Sequence, residues 1–197
     1  MARKAGANSF RLRASVIASS AALAGVVAAG CSGSSNFAPT AYVLAQVQPE
    51  SSGSSTCTFP DIMTVFTEGM GPNSDPVGIA NGTSNAGSVV TVGCAVTQSG
   101  SSFSVGASVT TVAAGSFTLN GTMTASGVQQ NVSASFGNGT TTFGENDCTF
   151  TYTTVTSPPI KVGAVWGVLN CPNMTTGMQD IGCTGTAQVQ LTNCTQQ

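Results

Sequence analysis

The feature that most constrains the fold is an alternation of apolar and small polar residues that returns in segment after segment. The alternating positions are Val90, Val92, Cys94 and Val96; Phe103, Val105, Ala107 and Val109; Phe117, Leu119, Gly121 and Met123; Val128, Val132, Ala134 and Phe136; Cys148, Phe150 and Tyr152; and Ala187, Val189 and Leu191. Because successive side chains of a β-strand point to opposite faces, this period of two predicts half-buried antiparallel strands. We expect an all-β fold.

Short turn sequences separate these segments. Ser99-Gly100-Ser101, Ser126-Gly127 and Gly137-Asn138-Gly139 have the residues that tight turns favour. Connections this short make sequence neighbours pair, which predicts an antiparallel meander. About seven or eight such strands form a β-sandwich or, as the alternative, an up-and-down barrel.

Two segments depart from the simple alternation. Residues Ile160–Leu169 are apolar on both faces, which predicts either a central strand covered on both sides, the interpretation that we favour, or an exposed apolar patch. Residues Asn173–Ile181 are the one place where we expect a helical turn. The rest of the chain after Cys57 is predicted to form strands and turns.

The first thirty residues have the pattern of an export signal. The cations Arg3, Lys4, Arg11 and Arg13 precede an uncharged run, Ala14–Gly30. A basic segment, an apolar segment and small residues before a cleavage point are typical of a secretory signal peptide. We therefore expect residues 1–30 to be removed on export.

The predicted cleavage point has a more specific pattern. Ala28-Ala29-Gly30-Cys31 resembles a bacterial lipobox, although Ala28 stands where that family more often has Leu. The resemblance implies that Cys31 is acylated and anchors the protein to a membrane of the bacterial cell envelope. Residues 31–56, rich in Ser and Gly, are then a flexible tether in which Tyr42–Gln48 could add a short edge strand. A single β-domain follows over residues 57–197.

Six cysteines remain once Cys31 is assigned to lipid: Cys57, Cys94, Cys148, Cys171, Cys183 and Cys194. Export places them in an oxidising compartment, where disulfides are the default. Cys183 and Cys194 would lie at opposite ends of one strand and cannot pair. The remaining connectivities stay open, and the set that we favour is Cys171–Cys183, Cys94–Cys194 and Cys57–Cys148. No metal site is expected, because the spacing is unlike that of structural zinc sites and the chain has no histidine.

Charge excludes several classes of function. Without the export signal only Lys161 remains against seven Asp and Glu, a net charge of −6. An acidic domain lacks the basic surface that nucleic-acid binding needs. The absence of histidine excludes imidazole acid–base catalysis and the usual serine or cysteine triads.

We find no catalytic motif and expect no cofactor. A hydrolase acting on carbohydrate would need two carboxylates facing each other, and Glu145 and Asp147 are the nearest such pair in sequence. Trp166, with Val162 and Val168, could instead line a cavity for a small apolar ligand. The competing interpretation is that Trp166 packs in the core.

The C-terminal segment suggests a second resemblance. The run from Cys183 to Cys194, with Cys94 on an earlier strand, is similar to the small lipoprotein antigens of mycobacteria, which also combine a lipobox, a tether and a β-domain. This likeness implies surface exposure and interaction rather than catalysis. We therefore expect a non-enzymatic, lipid-anchored envelope protein whose partners are an envelope protein, a glycan or a small apolar ligand; the last would make it a carrier.

Overall fold

The computed structural model describes most of the chain from residue 37 onward. The described residues are 37–49, 57, 59–65, 78–85, 87–112, 115–153, 158–177 and 179–196. The predicted signal peptide, the predicted lipidation site Cys31 and the first residues of the predicted tether lie outside them. Among the described residues no helix is long and apolar enough to cross a membrane.

The described residues form twelve β-strands and no helix. In chain order the strands are β1 Thr40–Pro49, β2 Phe59–Val65, β3 Ile79–Ala80, β4 Ser84–Asn85, β5 Ser88–Ser99, β6 Ser102–Thr111, β7 Gly115–Thr124, β8 Val128–Gly137, β9 Thr142–Tyr152, β10 Ile160–Lys161, β11 Ala164–Thr176 and β12 Gln179–Thr192. The predicted all-β class is confirmed. The described residues of Asn173–Ile181 do not form the expected helical turn, because β11 and β12 extend the sheet on either side of their connection.

The strands form one antiparallel sheet in the order β2-β1-β12-β11-β9-β8-β7-β6-β5-β4, with β3 beside β1 and β10 beside β11. From β4 to β9 every strand pairs with its neighbour in sequence, as the meander predicts. The sheet curls until it is nearly closed. Of the two architectures left open, the molecule therefore has that of a barrel, and its inward side chains form one core.

The alternation that predicted the strands also fills the core. On β5 and β6 the predicted inward residues are all buried: Val90, Val92, Cys94, Val96, Phe103, Val105, Ala107 and Val109. The widest side chains of the core come from Phe117, Phe136, Phe143 and Phe150. Phe117 and Phe136 meet edge to face with their ring centroids 5.6 Å apart, a favourable aromatic geometry.

The inward position predicted for Val128 is wrong, because its side chain is 53% exposed and its neighbour Gln129 is buried instead. The reason is a bulge in β8 between Gln129 and Val132, where Asn131 has a φ of 56°. A bulge adds one residue and so reverses which face the preceding side chains occupy. A second bulge, in β9 opposite Ser133, restores the register of the pair.

The barrel closes where β5 meets the segment around Asn81 and the segment that follows β12, a contact that we call the seam. Thr195 donates its N–H to the carbonyl of Cys94 over 2.9 Å, and Val96 donates to the carbonyl of Thr195 over 3.3 Å. Farther along β5, Asn81 Oδ1 accepts the N–H of Val92 at 2.8 Å. Because β4 covers only the first residues of β5, these bonds satisfy backbone groups of an otherwise open edge.

Residues 40–49 differ from the predicted tether. They form the ten-residue strand β1, which pairs with β12 on one side and with β2 on the other. Ala41, Val43, Ala45 and Val47 are buried in the core. This segment therefore belongs to the β-domain, and it is an interior strand rather than the edge strand considered from the sequence.

The run Ile160–Leu169 is two strands and not the single strand predicted. A turn at Val162-Gly163, with Gly163 at a φ of 80°, folds β10 back against β11. Glycine adopts this positive φ without steric cost. The outer residue Val168 remains 38% exposed, so β11 is only partly covered on its outer face.

The six cysteines form three disulfides, Cys57–Cys183, Cys94–Cys194 and Cys148–Cys171. Cys94–Cys194 is as predicted, and it fastens the seam. Cys183 and Cys194 do not pair, in agreement with the strand geometry.

The other two predicted bridges, Cys171–Cys183 and Cys57–Cys148, are wrong. Cys171 pairs in register with Gly185 and not with Cys183, so the loop that the bridge was to staple is a strand hairpin. Continuing the β9–β11 register places Cys148 directly opposite Cys171. Cys183 lies beside Pro49 at the end of β1, and Cys57 reaches it there.

Candidate functional site

The outer surface of β5 to β8 is lined with small uncharged side chains. One cross-strand row runs through Gly93, Ser108, Thr118 and Ser135. The next row runs through Ala95, Gly106, Asn120 and Ser133. This surface follows from the alternation itself, since every second residue of these strands points away from the core.

Two adjoining hollows in this surface form what we call the polar furrow. One has a volume of about 700 Å³ and extends from Thr118 to Thr175; the other has about 520 Å³ and extends from Ala95 to Asn131. They share Asn120 and Ser133. The furrow therefore crosses β5, β6, β7, β8, β9 and β11 and presents mainly hydroxyl, amide and backbone groups.

Hydrogen bonds hold several groups of the furrow in place. The hydroxyls of Thr118 and Ser135 share a hydrogen bond of 2.6 Å between their oxygens. The hydroxyl of Thr175 donates to the carbonyl of Gly144 over 3.2 Å. Fixed hydroxyls of this kind can still accept or donate a further bond to a ligand.

Among the described residues, Glu145 is the one ionisable side chain that lines the furrow. Its Oε2 accepts the backbone N–H of Asn173 at 2.8 Å. Asp147, the other acidic side chain that the structure describes, is exposed and lines neither hollow. The sequence neighbours Glu145 and Asp147 are thus not brought together across a described cleft, as a glycosidase would require.

Glu145 also lies close to the sulfur atoms of Cys148 and Cys171. Both sulfurs belong to a disulfide, and it is the free thiolate that binds metals. The cluster therefore offers a cation a single carboxylate.

Trp166 is buried but does not belong to the core cluster. Its neighbours in sequence, Val165 and Gly167, face inward, so the indole lies on the outer face of β11. It lines a separate hollow of about 280 Å³ that Val162 and Val168 do not line. Trp166 is thus buried, in keeping with the core interpretation, although it lies outside the main core cluster and does not share this hollow with Val162 or Val168.

Burial shifts the pKa of both tyrosines of the chain. Burial raises the pKa of Tyr152 to about 12 and also raises the pKa of Tyr42 above its ordinary value. The hydroxyl of Tyr152 donates to the carbonyl of Thr124 over 2.6 Å, and that of Tyr42 to Gln188 Oε1 over 3.4 Å. Both hydroxyls therefore act as neutral hydrogen-bond donors.

Sequence reasoning missed the furrow, because Asn120, Ser133 and Glu145 each resemble ordinary solvent-facing residues. A signal was nevertheless present: the outward positions of β6 to β8 have no Lys, Arg, Asp or Glu. The two bulges that place Glu145 and Asn131 at the furrow could not be read from the alternation.

Comparison with known proteins finds no matching family model, no similar curated protein and no similar solved structure. The evidence for function is therefore the sequence and the geometry described above.

Proposed function

We propose that this chain is an exported, non-enzymatic binding protein of the bacterial cell envelope. It is held at a membrane by lipid on Cys31 and presents the polar furrow to a neutral glycan. The observation that carries the proposal is the furrow, a long hollow with one ionisable side chain and many hydroxyl and amide groups. Neutral sugars offer matching donors and acceptors.

The composition of the furrow favours a glycan over a protein partner. Protein interfaces depend on aromatic, Met and Arg side chains, and Ser and Thr are under-represented among their energetic hot spots. The furrow has none of the former and is rich in the latter. A strongly anionic polymer is disfavoured as well, because the exported domain has one cation against seven carboxylates.

Blocking the furrow tests the binding proposal. Asn120 is exposed and lines both hollows, so Asn120→Trp should fill the place where they join. Thr91→Trp, an exposed change on β5 outside the furrow, is the matched control. We expect chitotetraose or maltotetraose to shift the amide resonances of furrow residues in the parent protein and in Thr91→Trp, but not in Asn120→Trp.

Two results would contradict this binding role. One is that neither of the two neutral glycans perturbs the furrow; the other is that dextran sulfate, a polyanion, binds more tightly than they do. Persistence of glycan binding in Asn120→Trp would place the site elsewhere.

The anchor is tested separately by cell fractionation. Cys31→Ala removes the thiol to which the lipobox lipid would be attached, whereas Ser32→Ala keeps it. We expect Cys31→Ala to appear in the soluble fraction and Ser32→Ala to remain with membranes, since two or three acyl chains hold a protein far more firmly than none. Unchanged membrane association of Cys31→Ala would refute lipid anchoring without affecting the glycan proposal.

A further inference from the structure

The outer face of β1, β12 and β11 differs from the polar furrow because it carries covered aromatic residues. Trp166 pairs across the strands with Gln190, and Gln190 pairs with Tyr42. Trp166 is only 7% exposed and Tyr42 only 4%, although both point away from the core. Aromatic side chains this covered on the outer face of a sheet mark a built recess rather than an ordinary solvated surface.

The recess beside Trp166 is the hollow of about 280 Å³, which we call the indole hollow. Pro158 and Pro159 form one wall. The backbone N–H of Trp166 fixes that wall by donating to the carbonyl of Pro159 over 3.0 Å. Flat apolar walls favour a ring. The volume is at the lower end of ligand pockets and suits a single ring.

One residue of this hollow has a buried polar atom without a partner. Gln190 lines the hollow, and its Oε1 is buried with no hydrogen-bond partner, so its amide meets a ligand there by rotating towards the hollow. The other such atom among the described side chains is Thr153 Oγ1, which the β9–β11 register places next to Trp166 on its other side. Leaving a buried acceptor unpaired costs free energy, so a missing donor is the natural explanation.

Lys161 supplies charge at the same hollow. It is exposed, lines the hollow, and is the one cationic side chain in the described part of the chain. A ligand held here therefore meets flat apolar walls, an acceptor without a donor and an ammonium group. An aromatic acid with a hydroxyl or N–H substituent satisfies all three.

We propose that the indole hollow binds a small aromatic carboxylic acid. Its ring packs against Trp166 and the two prolines, its hydroxyl or N–H donates to Gln190 Oε1, and its carboxylate lies at Lys161 Nζ. This site is on a different face from the polar furrow and does not depend on glycan binding.

The test uses hydroxybenzoates as probes, with binding measured by calorimetry and by the single indole N–H resonance of Trp166. We expect 3- or 4-hydroxybenzoate to bind saturably, and benzoate, which lacks the donor, to bind about tenfold more weakly, as loss of one hydrogen bond implies. The corresponding hydroxybenzamides, which lack the charge, should also bind more weakly, and this difference should shrink at high salt.

Matched variants assign each preference to its residue. Gln190→Met keeps the shape but removes the unpaired oxygen, so it should abolish the preference for the hydroxyl and raise the thermal midpoint of the unliganded protein. Lys161→Gln should abolish the preference for the carboxylate. Val168→Thr, nearby on β11 but outside the hollow, should bind like the parent.

Two outcomes would overturn the proposal. The first is no saturable binding of either hydroxybenzoate at millimolar concentration, which would leave water as the partner of Gln190. The second is a hydroxyl preference that survives in Gln190→Met, which would separate binding from the unpaired oxygen.

Discussion

At Gly167, hydrogen is the only substituent that the core accepts. A Cβ atom there would overlap the ring of Phe150 and lie 2.5 Å from the carbonyl oxygen of Thr151. The backbone oxygen belongs to the neighbouring strand β9 and cannot move aside cheaply. We therefore expect Gly167→Ala to lower the free energy of unfolding by about 1–3 kcal/mol, the usual cost of overpacking, as measured by chemical denaturation.

The matched control for this prediction is Gly93→Ala on β5. A Cβ atom at Gly93 meets nothing within 4 Å, so the substitution should leave the free energy of unfolding unchanged or raise it slightly by restricting the unfolded chain. Equal stability of the two variants would show that β9 and β11 pack less closely than described.

The raised pKa of Tyr152 predicts how the free energy of unfolding depends on pH. Its pKa is raised from 10.0 to about 12, chiefly by burial. Between these values the unfolded chain has lost the phenol proton and the folded protein has kept it. The contribution of Tyr152 is thus fully present below pH 10 and is lost as the pH rises towards 12.

Tyr152→Phe isolates this effect, because it removes the titrating group but keeps the ring. We expect the fall in the free energy of unfolding above pH 10 to be shallower in Tyr152→Phe than in the parent protein. Ultraviolet titration of the phenolate should also show one fewer late-titrating tyrosine. Identical pH dependence of the two proteins would contradict the burial of this hydroxyl.

At the scale of elements, the pair β8–β9 owes its geometry to two opposed bulges. Asn131 has a φ of 56°, a left-handed conformation that Asn and Gly tolerate and β-branched residues do not. Asn131→Val should therefore destabilise the protein by about 1–3 kcal/mol, whereas Asn131→Gly should be nearly neutral. Thermal unfolding of the two variants provides the comparison, and equal loss in both would argue against the bulge.

The sequence predicted the elements where alternation is unbroken and failed where a local event interrupts it. On β5 to β7 the alternation identified the buried face correctly. It failed at Val128, because an inserted residue reverses the face without changing the composition. It also failed at Ile160–Leu169, where Val162-Gly163 turns the chain inside a continuous apolar run.

The candidate site was less predictable than the strands. The polar furrow depends on register between strands that are far apart in sequence, such as Gly144 beside Thr175. The disulfides follow the same rule: two of the three favoured pairs were wrong because partners such as Cys57 and Cys183 meet only through the pairing of β1 with both β2 and β12. Trp166 was singled out by its type, but its outer position and its partner Gln190 required the structure.

For the whole molecule, the disulfides differ in the length of chain that they close. Cys57–Cys183 spans 126 residues and Cys94–Cys194 spans 100, against 23 for Cys148–Cys171. Chain entropy assigns about 4.7 kcal/mol to a loop of 100 residues and about 3 kcal/mol to a short one. Removing either long-range pair by double Cys→Ser substitution should thus lower the free energy of unfolding more than removing Cys148 and Cys171.

Loss of Cys94–Cys194 should have an additional local signature. This bridge fastens the seam, where Gly163 also donates its backbone N–H to the carbonyl of Val96 over 2.9 Å. In Cys94→Ser/Cys194→Ser the amides of Val96 and Gly163 should therefore exchange faster with solvent water than in Cys148→Ser/Cys171→Ser. Hydrogen exchange measured by mass spectrometry makes the comparison. Equal protection of the seam in both variants would mean that the hydrogen bonds alone hold the barrel closed.

The central claim is an exported barrel whose chain ends are fastened covalently, and peptide mapping of the protein purified from membranes without reductant tests it most directly. The account predicts the linkages Cys57–Cys183, Cys94–Cys194 and Cys148–Cys171, with Cys31 carrying lipid. A Cys171–Cys183 linkage, or free thiols at the seam pair Cys94 and Cys194, would contradict it.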